Sequence, residues 1–401
     1  MKKFNKNLIV FVVVSLMVTL GYCFSFVKGM GKSVLGLVES IKMHDENAIS
    51  DFTDSIENYS SERLRYHDLL MDINSFKERI LGTRAITKDG TQYFRTDDNY
   101  LVSISSNKAE EGRYDEAYTS FHKLKDIAEA NGANFMYFAV PGKNYYATYE
   151  ANIIDYGKHD YDLFVKGMYE NEVPYYDFSN LLNGYTNPME AYFFTDHHWK
   201  PTVGLQAANV MCQKLQEMYG FAYDKELFNI NNYNVTKYKD QFLGSYGKKV
   251  GTYFTEEGAD DFELITPKFE TDLIEEQPFK NSIRTGSFEE TVLYMDNLEK
   301  DYYGKNSYVT YSGGDYRLQI IKNNKNLEGK KILLIRDSFG CVVSPFLSLQ
   351  TSELHVCDVR NFESFVGEKV NMEEYIQQIQ PDYVLVLYTG TDLSSGRNDF
   401  F

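Results

Sequence analysis

Apolar positions follow two different periods along the chain, and they predict helices that alternate with buried strands. The amphipathic stretch YTSFHKLKDIAEANG predicts a helix that ends at Gly132, and the apolar run NFMYFAVP predicts a buried strand after it. PTVGLQAANVMCQKLQEMYG, with Pro201 in its first turn and Gly220 at its end, is typical of a helix. The alternation returns in KKILLIRDSFG, a helix to Gln350, SELHVCDVR, NMEEYIQQIQ and PDYVLVLYTG. Such alternation with apolar strands indicates an α/β fold, a parallel sheet covered by helices on both faces.

Three other regions have different patterns. Residues 30–84 are polar with apolar positions at heptad-like spacing, which predicts one or two helices that form a stalk or a flank. Asp89-Gly90, inside KDGTQYFRTDDNYLVSIS, is typical of the turn of a β-hairpin. Short tyrosine-rich runs dominate residues 221–327, and we interpret them as a β-rich insertion or lid within a domain over residues 85–401.

The first 29 residues predict a membrane anchor. Three lysines in the first six residues precede a run from Leu8 to Val27 that contains no charge. Twenty residues at helical rise span roughly 30 Å, about the thickness of a bilayer core. A cleavable signal peptide has a shorter apolar region and small residues at its cleavage site, whereas this run ends in bulky aromatics. The lysine bias predicts a single-pass protein of the cell membrane with its domain on the extracytoplasmic side.

The net charge indicates which kinds of partner the protein can bind, and the cysteine content bears on disulfide bonds. The 401 residues include 58 acidic and 41 basic ones, a formal net charge of -17. Such a surface repels nucleic-acid phosphates and anionic lipid headgroups, so nucleic acid is excluded and a neutral or weakly charged substrate fits better. Four cysteines, one of them in the predicted anchor, do not make a disulfide framework. Cys341 and Cys357 either pair or remain free thiols.

Ser338 lies where a nucleophile is useful. ILLIRDSFG predicts a buried strand that ends at Arg336 and is followed by Asp337 and Ser338. Ligands of open α/β sheets bind at the carboxyl ends of strands, and the free N–H groups of a following helix can face a developing oxyanion. A serine there needs a histidine to take its proton and a carboxylate to orient that histidine. DSFG is also an ordinary helix start, with Asp337 or Ser338 as the N-cap.

The segment FFTDHHWKP, which contains the only tryptophan, supplies both residue types. In an extended segment Asp196 and His198 lie on one face and His197 on the other. A packed turn with satisfied imidazoles is one alternative. A metal site is another, but it needs three or four ligands, and adjacent histidines point apart in an extended chain. The other histidines have no HxxxH or HxH spacing, so we expect no metal.

Together, TDHHWKP, IRDSFG and the intervening YSGGDYRLQIIKN resemble the DHHW protein family. They are also similar to the SGNH-hydrolase-like domains of the alginate O-acetylation proteins. The resemblance covers nearly the whole chain and implies an SGNH-hydrolase-like fold. It implies that Ser338 is the nucleophile, His198 the base and Asp196 the orienting acid. Trp199 is then the packing aromatic, and Asp337 supports the site. The DHH phosphoesterases also contain an Asp-His-His sequence, but the glycine-histidine motif that accompanies it in those enzymes is missing from this chain.

Five further residues are candidates for oxyanion or substrate binding. Gly313 and Gly314 in YSGGD allow backbone N–H groups to approach a ligand closely, although a simple turn explains the pair equally well. Arg360 and Tyr388 lie at or just past predicted strand ends, and Arg360 needs a partner because it follows an apolar strand. Lys143 follows another strand.

The resemblance implies an extracytoplasmic O-acetyltransferase that modifies a cell-surface or exported polysaccharide. Ser338 would attack an acyl donor to give an acyl-enzyme, and a sugar hydroxyl would accept the acyl group. A membrane-bound O-acyltransferase is the implied partner, and no metal or organic cofactor is implied. A carbohydrate esterase that uses the same triad is one alternative, and a non-catalytic glycan-binding or assembly protein is another.

Overall fold

The computed structural model describes residues 67–149, 153–361 and 371–390 and Phe400. The chain divides into two compact units, Met1–Leu81 and Gly82–Phe401. In the first unit, the structure describes the helix α1 (His67–Ile80). The predicted anchor over residues 1–29 and most of the predicted stalk over residues 30–84 lie outside the described residues. Among the helices of the described ranges, none combines the length and the apolar character that crossing a membrane requires.

The second unit contains the remaining helices and all of the strands among the described residues. Its helices are α2 (Asp115–Ala130), α3 (Gly157–Glu170), α4 (Pro201–Tyr219), α5 (Ser245–Val250), α6 (Phe288–Val292), α7 (Ser344–Leu347) and α8 (Met372–Ile379). Its first seven strands are β1 (Ala85–Lys88), β2 (Thr91–Arg95), β3 (Leu101–Ser103), β4 (Asn134–Val140), β5 (Tyr175–Asp177), β6 (Tyr233–Phe242) and β7 (Asp260–Pro267). The other strands are β8 (Leu273–Gln277), β9 (Ser282–Gly286), β10 (Leu318–Asn323), β11 (Lys330–Arg336), β12 (Thr351–Cys357) and β13 (Tyr383–Thr389).

The central sheet has eight strands in the order β5-β4-β13-β11-β12-β10-β8-β9. The first five strands in this order are parallel, and the last three extend the sheet in antiparallel pairs. The expected parallel arrangement therefore holds for five strands, whereas the sheet as a whole is mixed. The segment over residues 221–327 supplies these three antiparallel strands, and its β6 and β7 form a separate pair. Four residues link β8 to β9, which is too short for the crossover that a parallel pair needs.

The predicted hairpin turn and the predicted ends of α4 are confirmed, whereas the predicted helix up to Gln350 is confirmed only in part. Asp89 and Gly90 join β1 to β2 with φ angles of 51° and 76°, as a tight hairpin turn requires. α4 begins at Pro201, and Gly220 follows it in the left-handed conformation with a φ of 72°. The predicted helix up to Gln350 is wrong in part, because two 3-10 helices flank the short α7. Pro345 is the second residue of α7 and has no N–H with which to continue a preceding helix.

Helices cover both faces of the parallel strands. On one face Leu334 and Leu385 belong to a buried cluster with residues of α4. On the other face Leu333 and Val384 belong to a cluster with residues of α2, α3 and α8. Burial on both faces explains why β11 and β13 consist of near-continuous apolar runs. Because β4, β11 and β13 are parallel, their carboxyl ends lie at one edge of the sheet.

Candidate active site

Asp337 forms the turn that presents Ser338. β11 ends at Arg336, and Ser338 begins a 3-10 helix, Ser338–Val342. One carboxylate oxygen of Asp337 accepts a hydrogen bond from the Phe339 N–H at 3.0 Å. The other oxygen accepts from the N–H and the hydroxyl of Thr389, each at 2.8 Å. Asp337 therefore ties the end of β11 to the end of β13 and leaves the Ser338 side chain beside a cleft.

Ser338, His198 and Asp196 lie in one chain of hydrogen bonds. His198 Nε2 is 2.7 Å from Ser338 Oγ, and His198 Nδ1 is 2.5 Å from Asp196 Oδ1. The second carboxylate oxygen of Asp196 accepts from the Ser245 N–H at 2.6 Å. The structure thus brings together the three residues that the two motifs contribute. A hydroxyl, an imidazole and a carboxylate in this order form the arrangement that nucleophilic catalysis by serine uses.

Asp196 carries its negative charge at neutral pH. Burial by itself raises its pKa, but the electrostatic influence of the imidazoles of His198 and His197, together with hydrogen bonds from His198 and the Ser245 N–H, overcomes this effect. The net result is a pKa well below the ordinary value for an aspartate. A carboxylate in this state can hold His198 by its Nδ1–H and stabilise the imidazolium that forms when Nε2 takes a proton.

Aromatic rings hold the imidazole of His198 in place. The ring of Tyr308 stacks on it at a centroid distance of 4.1 Å and an interplanar angle of 14°. Phe339 contacts it at 5.0 Å. Trp199 is buried beside them, and its ring meets Phe339 edge-on at 5.2 Å. Sequence reasoning missed Tyr308, because nothing local distinguishes it among 33 tyrosines.

His197 lies next to His198 rather than on the opposite face. The centroids of the two imidazole rings are 3.8 Å apart, so the expectation that they point apart is wrong. The segment is bent rather than extended, because an antiparallel bridge between Tyr192 and Trp199 closes it into a turn. His197 Nδ1 is 2.9 Å from the Ser245 hydroxyl. Burial and the neighbouring His198 lower the pKa of His197 to about 4, so it is neutral at pH 7.

Within the described ranges, Asp196, His197 and His198 are the one group whose ligand atoms could hold a metal ion, since they lie within 4.8 Å of one another. Both ring nitrogens of His198 already face Asp196 and Ser338. A metal on this group would have to replace those contacts. That no metal binds here stays a prediction.

Lys143 borders the cleft, but its ammonium group is directed into the protein. The residue is only 2% exposed. Its Nζ donates to the carbonyl oxygens of Phe193, Phe194 and Asp196 at 2.6, 2.9 and 3.0 Å. The ammonium thus contacts the backbone of the TDHHW segment.

The other four candidates for binding lie away from the cleft. Gly313 and Gly314 have φ angles of 72° and 124° in a turn, and the carbonyl of Gly314 accepts from Arg336 at 2.7 Å. Arg360 donates to both carboxylate oxygens of Asp358 at 2.9 and 2.6 Å, so it has the partner that its position demanded. Tyr388 is fully buried in the core. None of the four is among the described residues that line the cleft beside Ser338.

Arg336 and Cys341 lie behind the turn that holds Ser338. The guanidinium of Arg336 is fully buried and forms an ion pair with Asp315. Cys341 lies beside it, with its sulfur 3.4 Å from Arg336 Nη1. Cys341 and Cys357 are both buried free thiols, so of the two alternatives the free thiols are confirmed.

A cleft of about 980 Å³ opens beside Ser338. One wall is the connection between β3 and α2, over residues 104–114, and another is the start of α5 with Tyr246 and Lys249. The lining is mainly polar, with Ser105, Ser106, Asn107 and Asn144 among its members. Sequence reasoning did not identify this wall, because residues 104–114 carry no motif. The site therefore has room for a substrate much larger than an acyl group.

Comparison with known proteins places the fold. No family model matches the chain, and no curated protein matches it. Bacillus cereus PatB1, solved with a sulfonyl adduct, is similar at a TM-score of 0.63 and 18% identity, over 79% of this chain and 98% of PatB1. A second PatB1 structure gives 0.61 and 21%, over 78% and 100% of the two chains.

A DHHW family protein from Eubacterium siraeum is similar at a TM-score of 0.56 and 19% identity, over 78% of this chain and 96% of that one. The O-acetyltransferase domain of Pseudomonas putida AlgJ matches at 0.46 and 11%, over 76% and 94%. The likeness to PatB1 and to the Eubacterium siraeum protein is one of fold. The expected resemblance to a DHHW family protein is confirmed at that level.

Proposed function

We propose that this protein is a serine-dependent O-acyltransferase that transfers an acetyl group to a cell-surface or exported polysaccharide. The observation that carries the proposal is the chain of contacts from Ser338 through His198 to Asp196, at 2.7 and 2.5 Å. These contacts lie at the carboxyl end of β11, beside a cleft of about 980 Å³. The choice of acetyl group and of polysaccharide rests on the resemblance of the two motifs to those of the DHHW and alginate O-acetylation proteins.

Acyl transfer would proceed in two steps. Ser338 Oγ attacks the carbonyl carbon of the donor while His198 Nε2 takes its proton, and collapse of the tetrahedral intermediate passes that proton to the leaving group. An acceptor hydroxyl then gives its proton to His198 and attacks the acyl-serine. Return of that proton to Ser338 Oγ releases the acylated acceptor. Asp196 stays ionised throughout and holds the imidazole by Nδ1–H.

The backbone N–H of Ser338 is our candidate for the first oxyanion donor. The next two N–H groups along the turn, of Phe339 and Gly340, are taken by the side chain and the carbonyl of Asp337. The N–H of Ser338 begins the 3-10 helix and so has no acceptor within it. An oxyanion above Ser338 would accept from this group. Gly313 and Gly314, which the sequence suggested for this role, are not among the described residues that line the cleft beside Ser338.

The PatB1 adduct supports a reactive nucleophile in this fold. PatB1 has been solved with a sulfonyl adduct, and sulfonyl reagents attach to activated nucleophilic side chains. By analogy of fold, we expect a sulfonyl fluoride to modify Ser338 here. A carbohydrate esterase is the second candidate, because water has access to a polar cleft of this size and would then replace the sugar hydroxyl as acceptor.

We also propose that the domain works on the extracytoplasmic side of the cell membrane, held by the uncharged run from Leu8 to Val27. A membrane-bound O-acyltransferase would deliver the acyl group. Support for this partner comes from the family resemblance, and support for the anchor comes from the length of the run.

Mass spectrometry of the protein with an activated acetyl ester tests the proposed function. We expect one acetyl group on the peptide that contains Ser338. Ser338→Ala should remove this label, whereas Ser282→Ala on the distant β9 is the matched control and should keep it. An undiminished label in folded Ser338→Ala would refute the assignment. Adding an oligosaccharide acceptor then separates transfer from hydrolysis.

A further inference from the structure

Two buried charges of opposite sign hold the backbone that carries Asp196. Lys143 lies just after β4, and its three ammonium hydrogens face three carbonyl oxygens, those of Phe193, Phe194 and Asp196. An ammonium group has three donors and no acceptor, so Lys143 has no donor left for a substrate. All three hydrogen bonds of the ammonium group go to the four-residue segment Phe193–Asp196.

Asp260 holds the same segment by its N–H groups. Asp260 is the first residue of β7 and is 3% exposed. One of its oxygens accepts from the Phe194 N–H at 2.5 Å, and the other accepts from the N–H and the hydroxyl of Thr195 at 2.8 and 2.5 Å. The Thr195 hydroxyl in turn accepts from the Gly244 N–H at 2.8 Å. Gly244 directly precedes Ser245, whose N–H holds the carboxylate of Asp196.

The two charges depend on each other. Burial lowers the pKa of Lys143, and the charges of Asp260 and Asp196 oppose this effect. Burial raises the pKa of Asp260, opposed by hydrogen bonds from Thr195 and Phe194 and by the charge of Lys143. Removing one member of such a pair leaves an uncompensated buried charge. A methionine and an asparagine would fill the same space without any charge.

We propose that Lys143 and Asp260 are positioning residues for the triad. They hold the peptide groups of Phe193–Asp196 in the bent conformation in which the carboxylate of Asp196 reaches His198 Nδ1. This inference rests on the proposed function for its kinetic consequence. Neither residue contacts Ser338, so both act through Asp196.

The test compares the full chain with Lys143→Met, Asp260→Asn and the double variant. Lys331→Met is the matched control, because Lys331 is half-buried and, like Lys143, donates to a backbone carbonyl, that of Ile379, at the opposite end of the sheet. Three quantities are measured: the thermal unfolding midpoint, the rate of Ser338 acetylation by an activated ester, and the downfield Nδ1–H resonance of His198 in histidine-labelled protein.

We expect folded Lys143→Met and Asp260→Asn to acetylate Ser338 about 10²-fold more slowly, because a displacement near 1 Å has effects of that size. The Nδ1–H resonance should shift or disappear in both variants, while Lys331→Met keeps the wild-type rate and resonance. The double variant should regain thermal stability relative to the single variants, because no buried charge is left unpaired. It should stay slow, because the backbone contacts are still missing.

Wild-type rate and resonance in either folded single variant, or in the folded double variant, would overturn the inference. Failure of all three variants to fold would also overturn it, because the pair would then be needed for folding rather than for the geometry of the site. If the wild-type chain itself shows no label on Ser338, the proposed function fails. The resonance of His198 would still report whether Lys143 and Asp260 position Asp196.

Discussion

Trp199 and Phe339 join the two motifs of the site by a single hydrogen bond. The indole Nε1–H of Trp199 donates to the backbone carbonyl of Phe339 at 3.2 Å, across 140 positions of sequence. Each residue directly follows a member of the triad, His198 and Ser338. This contact therefore lies beside the 2.7 Å contact between His198 and Ser338 and helps to hold its two partners at that distance.

Trp199→Phe should lower stability and slow acylation. Phenylalanine keeps an aromatic ring in the buried site but loses the N–H, which costs about 1–3 kcal/mol when a buried acceptor loses its donor. Urea unfolding measures the loss of stability, and acetylation of Ser338 measures the loss of rate. Because the Tyr308 hydroxyl also lies 3.4 Å from the Phe339 carbonyl, the cost should fall toward the lower end of that range. A variant as stable and as fast as the wild type would contradict the role of this bond.

His198 should matter far more than His197. His198→Ala should lower the acylation rate by about 10⁴-fold, since this is the typical loss when a triad member is removed. His197→Ala loses one hydrogen bond with Ser245, worth about 1 kcal/mol, so its rate should fall by no more than about tenfold. Single-turnover kinetics with an activated ester measure both. Equal losses would favour a metal site, and elemental analysis for zinc would then decide.

Gly244→Ala should damage the site without changing any triad residue. A Cβ at position 244 would lie 2.2 Å from Cβ and 2.6 Å from Cα of Asp196, so the Asp196 backbone or residue 244 must move. We expect a rate loss of about 10²-fold from a displacement near 1 Å. Gly184→Ala is the matched control, because a Cβ there meets nothing within 4 Å. A Gly244→Ala variant with the activity of Gly184→Ala would show that the site tolerates the displacement.

The ionised carboxylate of Asp196 should stabilise the folded state, and this stabilisation should be lost at acidic pH. Its pKa in the folded chain lies well below the ordinary value of 3.8, so the folded state holds fewer protons on this group than the unfolded state does. Stability from this source is present above pH 3.8 and is lost as the pH falls through the folded-state value. The difference in unfolding free energy between wild type and Asp196→Asn should therefore shrink below about pH 4.

Urea unfolding between pH 7 and pH 3 measures this difference. Asp126→Asn serves as a control for the change of charge, since the side chain of Asp126 is 74% exposed. A difference for Asp196→Asn that stays constant over the whole range would contradict the depressed pKa.

The intact chain should fractionate with the membrane. If the run from Leu8 to Val27 is an uncleaved anchor, the isolated protein still begins near Met1, and protease added outside cells without their outer layers cuts its domain. Edman sequencing determines the N-terminus of the isolated protein. Immunoblots of the fractions show where the chain is found and whether the protease has cut its domain. A mature form that starts after Phe26 and is free of the membrane would indicate a cleaved signal peptide, and the proposal for the triad would be unaffected.

The sequence by itself determined the local elements and the identity of the residues that we propose as a triad. Pro201 and Gly220 mark the ends of a helix, and Asp89-Gly90 forms a hairpin turn, because backbone conformation at these positions depends on the residues themselves. Asp196 and Ser338 were recognisable for a different reason. Each motif alone also fits an ordinary helix start or a packed turn, but the two motifs together resemble those of a known family.

Tertiary structure alone decided how those parts meet. The order of the three antiparallel strands could not be read from local sequence. The stacking of Tyr308 on His198 and the hydrogen bond from Lys143 to Phe193 each join residues at least 40 positions apart. The tertiary structure also decided the direction of the His197 side chain, because an extended segment and a bent one differ in which side chains share a face. Backbone contacts with Lys143 and Asp260 bend that segment, and partners of buried polar groups depend on packing in three dimensions rather than on neighbours in the chain.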